Sequence, residues 1–324
     1  MIKALGLFSG GLDSILAAEL IQEQGIKIEL INFTTPFFQS TNAREMAKQI
    51  NLKLKEIDIT KDYLKMLRKP KHGYGSALNP CIDCKIFMLR KAKIYAKEIG
   101  AKFIFTGEVL GERPMSQNKN ALELIEREAG LRGKLLRPLS AKLLPITEAE
   151  RKWVDREKLL DIQGRRRERQ MKLANQFKIK DYPTPAGGCL LTNKEYANKV
   201  KDLLSYKKIS MKDLQLLKIG RHFRFEKSKI IVGRNEKENK ELLRLKDSPD
   251  YVFEVPNIGS PITILQGQKT KEAISLAARL TAHYSDSKEN KTLVKYGKKN
   301  LSKALIASDI KSDEIKKLNI TFSS

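Results

Sequence analysis

The chain has 324 residues, of which 63 are Lys or Arg and 38 are Asp or Glu, giving a formal net charge of +25. With 41% hydrophobic and 31% charged residues it reads as a folded protein of two or three domains rather than a disordered one. No apolar run approaches the roughly 20 residues that a membrane helix needs, and Met1 leads straight into a strand-like stretch without the basic region and cleavage site of a signal peptide. These observations exclude a membrane-spanning reading and give a cytoplasmic expectation. So basic a surface attracts a polyanion. With no lipidation signal and no aromatic-anchored amphipathic helix, nucleic acid is favoured over an anionic membrane.

In chain order, Ile2 to Phe8 reads as a strand, Ser9-Gly10-Gly11 as a turn, and Asp13 to Gln24 as an amphipathic helix. Lys27 to Phe33 is a second strand, Asn42 to Asn51 a helix, Lys53 to Ile59 a third strand, Met88 to Ile99 a helix and Lys102 to Thr106 a fourth strand. Strands alternating with helices predict an α/β domain with a doubly wound parallel sheet. Its ligands bind at the carboxyl ends of the strands, where the loops after Phe8, Phe33 and Phe105 converge. Thr147 to Lys178 reads as helical and very basic, with Arg165, Arg166, Arg167 and Arg169 close together. The Pro/Gly run from Tyr182 to Gly188 marks a domain edge or an ordered loop. Beyond it, short strands at Lys229 to Val232 and Tyr251 to Val255, with helices at Lys237 to Leu245 and Thr270 to His283, predict a second domain of α+β type.

The turn Ser9-Gly10-Gly11-Leu12-Asp13-Ser14 follows a strand and opens a helix. Glycines let a backbone approach phosphate, and the free N–H groups of such a turn form an anion nest. Asp13 repels phosphate, so its chemical use is to hold a Mg²⁺ that bridges phosphates; its structural alternative is a helix N-cap. No Gly-Lys-Ser/Thr follows the glycines, which excludes a Walker loop.

These residues resemble the SGGxDS signature of the PP-loop ATP pyrophosphatases, whose domain is of the HUP-like doubly wound class. The resemblance implies attack of a carbonyl oxygen on the α-phosphate of ATP, loss of pyrophosphate, and displacement of AMP by a nucleophile. Thr106-Gly107-Glu108-Val109-Leu110-Gly111, then Ser116-Gln117 and Arg137-Pro138-Leu139, resemble the corresponding elements of the tRNA 4-thiouridine synthase (ThiI-like) catalytic domain. The implied nucleotide site comprises Ser9, Gly10, Gly11, Asp13, Ser14, Phe33, Thr106, Gly107 and Glu108, with ATP and Mg²⁺ as cofactors; Glu108 would bind Mg²⁺ or the ribose, or is a solvated loop acid.

Three cysteines occur, Cys81, Cys84 and Cys189, an odd number that argues against a disulfide scaffold and for metal or redox chemistry. Cys81 and Cys84 precede a helix whose start favours thiolate. Zinc lacks a fourth ligand, since His72, His222 and His283 are not at ligand spacing. Two readings stay open: a persulfide carried by one cysteine and resolved by another, and a [4Fe–4S] cluster held by Cys81, Cys84 and Cys189 with one iron left for sulfur. The pattern resembles that of PP-loop thiolases without a rhodanese domain, which favours the cluster. Lys85, beside Cys84, would neutralise developing charge under the cluster reading, but reads first as a surface lysine.

Lys229 to Asn235 followed by Asn239, with Ala277 to Leu280, His283 to Ser285 and Val294 to Tyr296, resembles the NFACT-R RNA-binding domain. Arg221, Arg224, Arg234 and the lysines near Lys298 are the expected phosphate contacts, with Tyr284 or Phe223 to stack. Neither a leading THUMP-type region nor a trailing rhodanese domain is expected from this sequence, so this module is expected to supply RNA binding. The expected organisation is residues 1–180 as the PP-loop domain, 181–214 as the Cys-bearing loop and connecting helices, and 215–324 as the RNA-binding domain. The expected activity is ATP-dependent thiolation of a tRNA uridine with Asp13, Cys81, Cys84 and Cys189 as catalytic residues. Its expected partners are tRNA and a sulfur donor, either a cysteine desulfurase or inorganic sulfide, with no membrane; a homodimer stays open. The rival readings are a 2-thiouridine synthase using persulfide, a nitrogen-installing ligase, and a non-catalytic RNA binder with a vestigial nucleotide site.

Overall fold

The computed structural model describes residues 1–38, 42–182, 189–206 and 208–322. They form two compact units, Met1–Cys189 and Leu190–Ser324. The Pro/Gly run at Pro183, Thr184, Pro185, Ala186, Gly187 and Gly188 lies outside the described residues.

In the first unit, strands β1 (Lys3–Leu7), β2 (Lys27–Thr34), β3 (Lys53–Asp58), β4 (Phe103–Thr106) and β5 (Leu135–Leu136) make one sheet in the order β3-β2-β1-β4-β5. Every pairing is parallel, so the domain is the doubly wound α/β type. The strand order reverses between β1 and β4, which places the ligand crevice at their carboxyl ends. The helices are α1 (Leu12–Gln22), α2 (Ala43–Gln49), α3 (Thr60–Arg68), α4 (Cys81–Glu98), α5 (Lys119–Ala129), α6 (Glu148–Lys152) and α7 (Glu168–Gln176). One core joins Ala4 and Phe8 to Leu12, Ile15 and Leu16 of α1, Met46 of α2 and Ala174 of α7, while α4 packs on β1 and β4 and against α3 and α5.

Two helical expectations change. Helix α4 starts at Cys81 rather than near Met88, so the Cys-x-x-Cys run forms its first turn instead of preceding it. The basic stretch from Thr147 to Lys178 is not one helix: Thr147 opens the short α6 with a capping box shared with Glu150, α6 ends at Lys152, and α7 begins only at Glu168, beyond Gly164 with its φ of 85°.

The second unit is a six-stranded antiparallel sheet of β6 (Arg221–Phe225), β7 (Ser228–Val232), β8 (Tyr251–Glu254), β9 (Thr263–Gly267), β10 (Lys291–Gly297) and β11 (Lys303–Ser308) in the order β11-β10-β8-β9-β7-β6. Its helices are α8 (Lys194–Leu204), α9 (Met211–Leu216), α10 (Glu236–Leu245), α11 (Lys271–His283) and α12 (Ser312–Leu318). The period-2 alternation of side chains splits the core in two. Phe223, Ile230, Val232, Phe253 and Val294 pack with Leu276 and Leu280 of α11, whereas Ile231, Val252 and Ile264 pack with Leu216, Leu242 and Leu245. No described helix is long and apolar enough to cross a membrane.

Candidate functional site

The turn after β1 is pinned to the sheet by the Asn32 amide, which donates to the Phe8 carbonyl at 2.6 Å within the core. Gly10 takes φ 75°, and a Cβ there would lie 2.7 Å from Ala43 Cα, so both its conformation and its approach to α2 require glycine. Gly11 is the N-cap of α1 and gives no side-chain cap, while the Ser14 hydroxyl donates to its carbonyl at 2.8 Å and the Ser9 hydroxyl reaches Ser14 Oγ at 3.4 Å. Asp13 therefore is not the N-cap. It stands in the first turn of α1 with Oδ1 buried and without a hydrogen-bond partner. Burial pushes its carboxyl up, opposed by Arg167 first and then by Gln170 and Arg113 beside it.

Gly107 joins the second motif to the first. A Cβ at this position would meet the Asp13 carbonyl carbon and oxygen and Ser14 N, each at 2.5 Å. The end of β4 thus lies against the opening turn of α1, and Ser9, Gly10, Gly11, Asp13, Ser14, Thr106 and Gly107 share the crevice. Phe33 is buried within β2. The Ser116-Gln117 pair has a structural use: the Gln117 carbonyl accepts from Gly111 N at 2.7 Å and its side chain from Arg113 N at 3.0 Å, closing the loop.

Glu108 is held by two cations and a hydroxyl. It is 3% exposed and pairs with Lys85 at 3.3 Å and Arg137 at 3.1 Å, while the Thr106 hydroxyl donates to it at 3.1 Å. Burial raises its carboxyl, but Lys85 and Arg137 outweigh burial and hold it down at about 2. Arg137 also binds Glu126. Lys85, 30% exposed, is consequently the ion-pair partner of a buried acid rather than a free surface lysine, and Glu108 is an anchor between α4, the loop after β4 and the Arg137 segment rather than a solvated acid.

The three thiols gather about one phenol that no motif in the sequence singles out. Tyr63 of α3 is fully buried among Phe37, Phe38 and Phe87, with ring centroids at 5.7, 5.3 and 6.4 Å. Burial drives its phenol far up, and Cys84, Cys189 and Cys81 add to the effect. The signal for α3 was present in Asp58, whose carboxylate accepts from Thr60 N at 2.7 Å, and in the i,i+4 pair Tyr63 and Leu67. Asn79 Nδ2 donates to Cys81 Sγ at 2.9 Å, and Cys189 Sγ lies 3.9 Å from the Phe37 carbonyl. Burial pushes the Cys84 thiol up to about 12 against Lys85, so the favourable helix start is overridden there. Asp83, between the two cysteines, accepts from Lys71 N and His72 N at 3.0 and 2.9 Å and is structural.

An ATP–Mg²⁺ complex fits these residues: Asp13, with one buried carboxylate oxygen left unpartnered, directly follows a glycine turn at the sheet's switch point. Among the described residues no group of three His, Cys, Asp or Glu is arranged as a metal site.

In the second unit, the residues expected to touch RNA mostly serve the fold. Phe223 is fully buried and unavailable to stack. Arg224 forms a two-pronged pair with Asp202 at 2.8 and 2.6 Å, and Arg234 is bound to Glu238 at 2.9 Å. The Arg221 guanidinium lies 4.4 Å over the Tyr284 ring. Asn235 caps α10, and Asn239 Oδ1 accepts from Ile262 N at 3.0 Å in the space that a Cβ on Gly233 would fill. Lys295, Lys298 and Lys299 are among the exposed cations of this unit, and Lys269 and Lys303 lie 6.0 and 5.9 Å from the ring of Tyr251, which pairs with Tyr296.

A parallel sheet ordered β3-β2-β1-β4-β5, with a glycine turn and an orphaned aspartate at its switch point, is a domain of the PP-loop type. Residues 2–142 match the family model described as thiamine biosynthesis protein (ThiI), and residues 220–318 match that of the NFACT protein RNA binding domain. The chain therefore joins a ThiI-like PP-loop domain to an NFACT-R-like domain. A probable tRNA sulfurtransferase of Ureaplasma urealyticum is 34% identical over 134 residues, 38% of this chain and 33% of that protein. Those of Lysinibacillus sphaericus and Thermococcus kodakarensis are 33% identical over 156 residues and 28% over 170, covering 45% and 49% of this chain and 37% and 39% of their own. The chain thus spans little more than a third of the length of these curated relatives. Among solved structures, a 4-thiouridine synthetase–RNA complex with bound ATP is similar at 22% identity and TM-score 0.38, over 67% of this chain and 51% of that one. The C-terminal part of a fibronectin/fibrinogen-binding protein from Streptococcus suis is similar at 14% and 0.28, over 80% and 98%. Likeness of this degree assigns nothing further.

Proposed function

We propose that the protein is an ATP-dependent tRNA sulfurtransferase that adenylates a uridine carbonyl and replaces its oxygen with sulfur carried by cysteine. The support that weighs most is the contact of Gly107 with Asp13, which unites the phosphate turn and the Thr106-Gly107 motif in one crevice. Ser9, Gly10, Gly11 and Ser14 would cradle the phosphates and Asp13 would hold the Mg²⁺, which offsets phosphate charge when bound. The uridine oxygen attacks the α-phosphorus, the bond to the bridging oxygen breaks, and pyrophosphate leaves with the electron pair. A cysteine persulfide, charged by a desulfurase or by sulfide with an oxidant, then attacks the same carbon and AMP departs with the C–O pair. A second cysteine thiolate attacks the sulfur of the first, leaving the terminal sulfur on the base and a disulfide that an external thiol reduces. Cys84 and Cys189 are the proposed pair. Tyr251, Lys269, Lys298, Lys299 and Lys303 are the proposed RNA contacts.

The test is to incubate tRNA transcripts with ATP, a desulfurase and cysteine, and to measure pyrophosphate, AMP and thiolated nucleosides for wild type and for Cys81→Ala, Cys84→Ala and Cys189→Ala. Thiolation lost in the cysteine variants, with pyrophosphate release kept, supports the proposal. Activity untouched by all three substitutions sinks it in favour of a nitrogen-installing enzyme. Anaerobic iron and sulfide analysis decides the form of the carrier: about four irons lost on Cys189→Ala would establish the expected three-cysteine cluster, and no iron leaves the persulfide route.

A further inference from the structure

Helix α7, with its N-cap residue Arg167, packs along α1 and presents two side chains to which the proposed chemistry gives no role. Gln170 is completely buried beside the Asp13 carboxyl, which it helps to hold down, yet neither its amide nitrogen nor its amide oxygen meets the geometry of a hydrogen bond. Arg167, one turn earlier, has a buried Nε in the same condition, and Asp13 Oδ1 of α1 is likewise unpartnered. Buried polar atoms in folded proteins are almost always paired. Orphans on two packed helices and the N-cap of one of them, beside a glycine turn whose N–H groups suit an anion, mark a place prepared for a polar ligand. Its charges are mixed: Arg167 and Arg113 act on Asp13, and Glu112 faces the same group. Two arginines and an amide opposite a carboxylate match a polyphosphate with its divalent cation, since guanidinium pairs with phosphate oxygens in a fork and the carboxylate takes the metal.

We infer that Arg167 and Gln170 form the pyrophosphate end of the nucleotide site, where Arg167 binds the β- and γ-phosphate oxygens, Gln170 donates to the same group, and both stabilise pyrophosphate as it leaves. The inference rests on the ATP reading of the phosphate turn and goes beyond it, because both residues lie far from that motif in the sequence. A charged hydrogen bond of this kind makes Arg167→Ala about 10- to 100-fold weaker for ATP, with AMP unchanged within about two-fold.

The experiment is calorimetric titration of the full chain with Mg²⁺–ATP, AMP and inorganic pyrophosphate, for wild type, Arg167→Ala, Arg167→Lys and Gln170→Met. Melting temperature without nucleotide serves as the folding measure. Weaker ATP and pyrophosphate binding in Arg167→Ala, partial rescue by Arg167→Lys, and a Gln170→Met variant that melts no lower yet binds pyrophosphate less well support the inference. Equal losses for AMP and ATP, or unaltered pyrophosphate affinity in Arg167→Ala and Gln170→Met, overturn it while the ATP reading stands. Wild type that binds neither ATP nor pyrophosphate overturns both.

Discussion

A side chain at Gly107 would place its Cβ 2.5 Å from the carbonyl oxygen of Asp13. Backbone cannot yield as a flexible side chain does, so β4 and α1 have to part if anything larger than glycine stands there. Gly107→Ala is expected to cost about 1–3 kcal/mol of stability and to lower ATP affinity by at least about ten-fold, because the phosphate turn moves with α1. Thermal melting and nucleotide titration of the same variant check both; an unchanged ATP affinity would show that the two motifs act apart.

Glu108 links stability to pH. Its folded carboxyl sits at about 2, below the ordinary 4.5, because Lys85 and Arg137 overcome the effect of burial. The stabilisation is therefore fully present above the ordinary carboxylate range and is lost as pH falls from about 4.5 towards 2. Its size is on the order of 3 kcal/mol. Urea unfolding measured from neutral to acid pH should show this loss in wild type and lack it in Glu108→Gln. That variant should also be about 3–5 kcal/mol less stable at neutral pH, since Arg137, with its side chain 2% exposed, loses a partner.

Charge on the second unit divides into cations that hold the fold and cations free to meet RNA. Arg224→Ala breaks the pair with Asp202 and should cost about 1–3 kcal/mol while leaving the salt dependence of RNA binding unchanged. The double substitution Lys298→Ala with Lys299→Ala should do the reverse, lowering the slope of log affinity against log salt by roughly 0.7–0.9 for each phosphate that the two lysines neutralise. Filter binding over a salt series distinguishes them; an unchanged slope in the double variant would move the RNA-binding face elsewhere.

Asn239 accepts from Ile262 N where Gly233 leaves room for its side chain. Asn239→Ala leaves that N–H without its partner and should lower stability by about 1–3 kcal/mol. RNA affinity measured well below the melting temperature should be unaltered, because the residue acts by joining α10 to the strand at Ile262.

Much of the fold was legible because local periodicity reports burial. The strands around Lys27 and Lys53, the helix after Ser9 and those ending at Leu245 and His283 all stand where apolar spacing put them, to within one or two residues. Strand β5 was invisible, since Leu135 and Leu136 are two residues and carry no period. Strand β6 was hidden by its charges, for Arg221 and Arg224 look solvated until Tyr284 and Asp202 are brought to them.

By itself the sequence determined the glycine turn, the cysteine count, the basic balance and the two resemblances, because each depends on residue type and short spacing alone. Tertiary structure decided what those groups face. It paired Lys85 and Arg137 through Glu108, gathered Cys81, Cys84 and Cys189 about Tyr63, and set Arg167 and Gln170 against Asp13. Such partnerships join segments tens of residues apart or more, and no local pattern encodes them. Burial then fixes their energetics, since removing water strengthens a matched pair and raises the cost of an unmatched one.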